Sequence, residues 1–213
     1  MFIGHYAVGF IIKKKAKYIP LWILFIAVQF VDILWIILFS LGIEKASFNV
    51  NENVFLHQVY DYFPYSHSLF ANLIIVLIVY ILIRKYKNKD WALWISLAVL
   101  SHWFLDVIVH TPDMPLFLNN FKVGFGIWKH PLVSLIGEIS FLLLSAFIYL
   151  WDYGHNVRLH IRLLIFLFIV NAIYLANYFS PAIAPTNFQI ITTSLFLLFS
   201  IAFGGYLLER KTT

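Results

Sequence analysis

His102, Asp106 and His110 recur at intervals of four residues. On a helix that spacing stacks three side chains along one face, one turn apart. An imidazole and a carboxylate so placed can supply two ligands to one metal ion, or the carboxylate can orient the imidazole from behind. They can equally hydrogen-bond each other with no ion between them. Pro112 predicts the end of the helix and leaves Asp113 in the following loop. The chain has no cysteine, so thiolate ligands are excluded and a metal site must use nitrogen and oxygen. Zn²⁺ suits such a set best, with Mn²⁺ and Fe²⁺ as the other candidates.

The elements that must position these groups are unusual. Hydrophobic residues make up 62% of the 213 positions and charged residues 12%, against roughly a quarter charged in an ordinary soluble domain. Apolar runs over residues 20–43, 66–83, 91–110, 132–151, 162–179 and 187–208 approach or exceed the roughly 18 residues needed to cross a hydrocarbon core. The fold class this predicts is an all-α polytopic membrane helix bundle in a single domain, with about six transmembrane helices. Residues 2–12 are apolar but too short to span; they read as a half-helix rising from the cytoplasmic face, with an interfacial helix as the alternative. No basic n-region precedes an apolar core and a cleavage site, so the N-terminus reads as retained.

Basic residues close the segment ending at Lys17, fill the loop 84–89 and recur at Arg158, Arg162, Arg210 and Lys211. The alternate loops hold only Lys45, Lys122 and Lys129. That asymmetry predicts both termini in the cytoplasm. Trp22, Trp91, Trp128 and Trp151 fall at span ends, where amphipathic rings prefer the headgroup region. The formal charge of +5 is spread over short clusters, so it marks topology and anionic headgroups as partners and does not indicate nucleic acid.

An ionisable side chain facing lipid costs several kcal/mol, so those within spans are expected to face the bundle interior. Asp32 lies near the middle of the first span and His102 near the middle of the third; His67 begins the second and Glu138 lies about two turns into the fourth. His5 rises to a similar depth if the N-terminal piece enters the membrane. Five segments can therefore aim ligands at one region. Each has a plainer explanation: a polar helix start capped by Ser66 for His67, structural pairing for Asp32, a protonated carboxyl within the bundle for Glu138. His57, His130, His155 and His160 read as interfacial, and Asn171 and Asn177 as interhelical hydrogen-bond partners. Residues 1–151 hold every candidate ligand; 152–213 hold none and read as supporting helices.

Gly4-His5, the lone Asp32, Ser66-His67-Ser68 and the segment Ser101-His102-Trp103-Phe104-Leu105-Asp106 together resemble a family, the LexA-regulated group of bacterial inner-membrane metal-dependent hydrolases. Its members show Thr-His near the N-terminus, then Pro-Asp-x-Asp, Thr-His-Ser and His-x-x-x-Asp, in that order. The match covers roughly the first 115 residues. The resemblance implies His5, Asp32, His67, His102 and Asp106 as metal ligands and the bacterial inner membrane as location. The second motif here keeps a single aspartate, preceded by Phe30-Val31, which bears on whether two ions can be held.

Three functions fit. A metal-dependent hydrolase would use the ion to activate water, with Glu138 as general base and a lipid or lipid-linked ester or phosphodiester as substrate. A transporter of metal ions or protons would use the same side chains as a relay, although no inverted repeat and no Gly/Pro-broken pair of spans is visible. A non-catalytic scaffold would use them only to fix helix packing.

Overall fold

The computed structural model describes residues 2–151, 156–181 and 183–210; His155 and Lys211 lie outside them. The chain begins with α1 (Gly4–Lys15), followed by α2 (Leu21–Val28) and α3 (Phe30–Ser40). A two-stranded hairpin of β1 (Lys45–Phe48) and β2 (Gln58–Tyr62) leads into the single turn α4 (Pro64–His67), then α5 (Leu69–Tyr86) and α6 (Lys89–Val109). A second hairpin, β3 (Met114–Phe117) with β4 (Asn120–Val123), and a short 3₁₀ turn precede α7 (Pro131–Trp151), α8 (Val157–Tyr178) and α9 (Asn187–Glu209). The helices α5 to α9 are each long and apolar enough to cross a membrane, and α2 with α3 makes a sixth span if the pair is counted as one. This is an all-α, multi-pass membrane bundle.

The first span departs from the straight helix expected over residues 20–43. It bends by 51° between α2 and α3 at Gln29. Neither glycine nor proline sits there. The break is held by polar partners on both sides: Gln29 donates its side-chain amide to the Phe2 carbonyl at 3.3 Å, and the Val28 carbonyl accepts from His102 Nδ1 at 2.8 Å. Irregular backbone inside a bundle survives where neighbouring protein satisfies it.

The N-terminal piece is a helix packed into the bundle. Its face formed by Ile3, Tyr6, Ala7 and Phe10 is fully buried, and α1 packs chiefly on α7, α2 and α6. Phe25 of α2 is wedged between Gly9 of α1 and Gly205 of α9, each of which passes so close that a Cβ would meet its ring at 2.8 Å. Small residues permit this approach of backbones. At the other end of α1, Lys13 is buried and donates to the Lys17 and Ile19 carbonyls at 2.7 Å and to Glu209 Oε1 at 2.5 Å. The second oxygen of Glu209 accepts the Leu21 N–H. One side-chain pair thus joins α1, the start of α2 and the end of α9.

Candidate metal centre

The bend at Gln29 turns the first turn of α3 inward and brings Asp32 to α6. There Asp32 Oδ1 stands 3.5 Å from His102 Nε2 and 3.5 Å from His67 Nε2. Asp106 Oδ2 closes the ring at 3.0 Å from His102 Nε2 and 3.7 Å from His67 Nε2. The ligands of a tetrahedral Zn²⁺ with bonds of 2.0–2.1 Å stand about 3.3 Å apart, so this ring has the dimensions of such a site. His5 adds Nε2 at 3.1 Å from the other oxygen of Asp106, with its ring parallel to that of His102 at 4.0 Å between centroids. All five side chains singled out by the sequence meet at one place. They form two overlapping triads, His5 with His102 and Asp106, and Asp32 with His67 and His102.

Hydrogen bonds fix the tautomers. The Val28 carbonyl can only accept, so His102 Nδ1 carries the hydrogen. Ser66 gives its hydroxyl hydrogen to Glu44 Oε2 at 2.6 Å and therefore accepts from His67 Nδ1 at 2.7 Å. Both Nδ1 hydrogens point out of the ring, and in the neutral imidazoles both Nε2 lone pairs point into it, against two carboxylates. His102 Nε2 is buried and forms no hydrogen bond despite its short distance to Asp106. Lone pairs gathered in this way repel unless positive charge lies among them, as a metal ion or as protons on the rings. A single Nε2 can bind only one ion, so the two triads that share His102 describe parts of one site and not two sites filled together.

Glu44 was not anticipated, nor was its use of Ser66. It is a fully buried acid whose Oε1 also accepts the Tyr65 and Ser66 N–H groups at 2.8 and 2.9 Å. No local pattern connects it to His67, since 22 residues separate it from Ser66. The residue that caps α5 is Ser68, which accepts from the Ala71 N–H, and not Ser66. Trp103 of α6 donates to the His67 carbonyl at 2.8 Å and holds the α4–α5 corner in place. Partners behind a ligating imidazole set its orientation and basicity. Glu44→Gln is accordingly expected to weaken metal affinity roughly 10- to 100-fold while the fold persists, read by competition with a fluorescent chelator.

Glu138 does not join either triad. Its Oε2 accepts the N–H groups of Phe2 and Gly4 at 2.8 and 3.1 Å, the unpaired donors at the start of α1. Glu138, expected as the base, anchors the start of α1, and with it His5. Asn171 likewise donates one turn back within α8, to the Leu167 carbonyl, and not to another helix.

A cavity of about 570 Å³ opens onto the ring, with Asp32, His67 and Asp106 in its floor. Trp35, Tyr60, His110 and Trp128 form aromatic walls, and His57 also lines it. Burial, with Asp32, Asp106 and Asp113 nearby, pushes the Tyr60 phenol well above its ordinary pKa, so it stays a neutral donor. The opposite wall comes from α9 and the end of α8, through Asn177, Ile190 and Leu197. The last two helices therefore shape the chamber as well as supporting it. Among the five ring and triad residues, the Asp32 side chain is the most exposed, at 29%, and the others are buried.

The fold and the site define a class, a multi-pass helical membrane protein with a buried histidine–aspartate cluster at the base of a cavity. No protein-family model, no curated protein and no solved structure matches the chain.

Proposed function

We propose that this chain is a membrane-embedded, metal-dependent hydrolase, as its resemblance to the LexA-regulated inner-membrane group implies. The observation that carries the reading is the ring itself: two imidazoles locked with Nε2 inward, facing two carboxylates, at the floor of a cavity. His67, His102 and Asp106 would hold the ion, with Asp32 on the cavity side as fourth ligand or proton acceptor and His5 steadying Asp106. Bound Zn²⁺ would polarise a substrate oxygen and bring the pKa of water to about 7. Asp32 is placed to take a proton from the attacking water, and Tyr60 to donate to the substrate. A polar floor beside the apolar wall of α9 favours an amphiphile, a lipid or lipid-linked ester or phosphodiester. With basic loops inside, both termini face the cytoplasm of a bacterial inner membrane and the hairpins and cavity face outward.

The test is release of water-soluble product from a total bacterial lipid extract by purified protein, with and without Zn²⁺, in nanodiscs. Metal-dependent product release is expected. The broken span at Gln29 favours one competing reading, a transporter, because discontinuous helices often turn free carbonyls toward ions. Zn²⁺ or proton flux into proteoliposomes without product release would establish it in place of the hydrolase.

A further inference from the structure

His110 lines the same cavity as the metal ring but belongs to neither triad. It caps α6 one turn beyond Asp106, about 6 Å along the helix axis. Its Nδ1 lies 3.0 Å from Asp113 Oδ1, and the carboxylate accepts, so Nδ1 carries a hydrogen, which in the neutral imidazole leaves Nε2 the lone pair. Nε2 has no hydrogen-bond partner among the described residues, and it is not one of the sealed atoms of the interior. The ring is clamped against Trp128, with centroids 4.2 Å apart, and Tyr60, at 5.3 Å.

The backbone is held just as firmly. The Gly126 N–H bonds the His110 carbonyl at 2.7 Å, and the Phe125 N–H bonds that of Val107 at 2.8 Å. Gly124 adopts φ of 158°, and any Cβ there would fall on the carbonyl oxygens of His110 and Thr111. A helix stop needs none of this. A carboxylate-oriented imidazole with one nitrogen open to a reaction chamber is the arrangement of a proton-transfer group.

We infer that His110, oriented by Asp113, is the proton-transfer residue of the hydrolysis and delivers its proton to the leaving oxygen. The inference rests on the hydrolase reading above. As the water oxygen bonds to the acyl carbon or phosphorus, the bond from that centre to the ester oxygen breaks. Asp32 accepts the proton the attacking water releases, and His110 Nε2 receives it from Asp32 by relay through cavity water and passes it to the departing oxygen, which leaves as the alcohol. Asp113 stabilises the imidazolium in between, and His110 ends in the protonation state in which it began. Its place one turn from the ring suits a leaving group, which projects away from the reacting centre.

Two measurements test this. Diethyl pyrocarbonate should carbethoxylate His110 of the purified full chain, with or without Zn²⁺, more slowly than the exposed His130, because His110 is itself 2% exposed, but well ahead of the fully buried His5; peptide mass mapping reads it. An unreactive His110 beside a reactive His130 overturns the proposal without touching the metal site. Hydrolysis of p-nitrophenyl butyrate and ethyl butyrate, and of the matching phosphodiesters, reads the role. In His110→Gln, zinc content should hold while the ethyl substrates lose about 10²-fold or more; the p-nitrophenyl substrates, whose phenolate leaves without a proton, should lose far less. Asp113→Asn should show the same split in smaller measure. Equal loss on both leaving groups, or loss of zinc from His110→Gln, would overturn the assignment. Zinc-loaded wild-type protein that hydrolyses none of these overturns the hydrolase reading and this role with it.

Discussion

Purified His102→Ala protein is expected to carry no stoichiometric metal where the wild type carries one ion per chain. Elemental analysis after dialysis against a weak chelator makes the comparison. His102 Nε2 is common to both triads, and it is the atom whose burial without a hydrogen bond most needs a cation. Asp106→Ala should lose the metal as completely, since one of its oxygens closes the ring and the other meets His5. His5→Ala should keep an ion bound roughly 10- to 100-fold more weakly, as removal of an orienting partner does. Glu138→Gln should leave metal content at wild-type level, because Glu138 serves the start of α1. A wild-type protein with no metal after purification in zinc-containing buffer would leave protons as the charge within the ring, and the hydrolase reading would fail there.

Lys13→Met is expected to lower stability by about 3 kcal/mol, the scale for removing one partner of a buried ion pair. Lys13 is 3% exposed, and without it Glu209 Oε1 and two carbonyls lose the donor they share. Pairing the change with Glu209→Gln should recover part of the loss, because no carboxylate is then left uncompensated. Thermal unfolding in detergent, followed by exposure of buried tryptophan, reads both. Equal melting temperatures for Lys13→Met and wild type would show that α1 and α9 do not depend on this clamp.

The spans were legible because lipid demands long apolar runs, and five of the six occur as helices within a few residues of the expected limits. The bend at Gln29 was not, because glycine and proline are its usual signs and here tertiary hydrogen bonds impose it. His102 and Asp106 announced themselves by helical spacing, and Asp32 and His67 by the cost of polar groups at that depth. The role of Glu138 was unreadable for a different reason. Its burial could be inferred, but its partners are backbone amides at the far end of the chain. Glu44 and Tyr60 sit in or beside the first hairpin, whose short strands carry no alternation strong enough to foretell them.

The hydrogen bonds from Phe2 and Gly4 to Glu138 span 136 and 134 residues. They set an order of assembly. Although α1 precedes α7 in the chain, its start is seated late, because α7 must be inserted before the Phe2 and Gly4 amides have their carboxylate partner. Until then the start of α1, and with it His5, lacks the anchor that holds it on the face of α6 that carries His102 and Asp106. If the cluster takes a metal, its loading would therefore belong to the end of biogenesis, and a nascent chain halted before residue 131 would have every expected ligand but not the carboxylate that anchors α1.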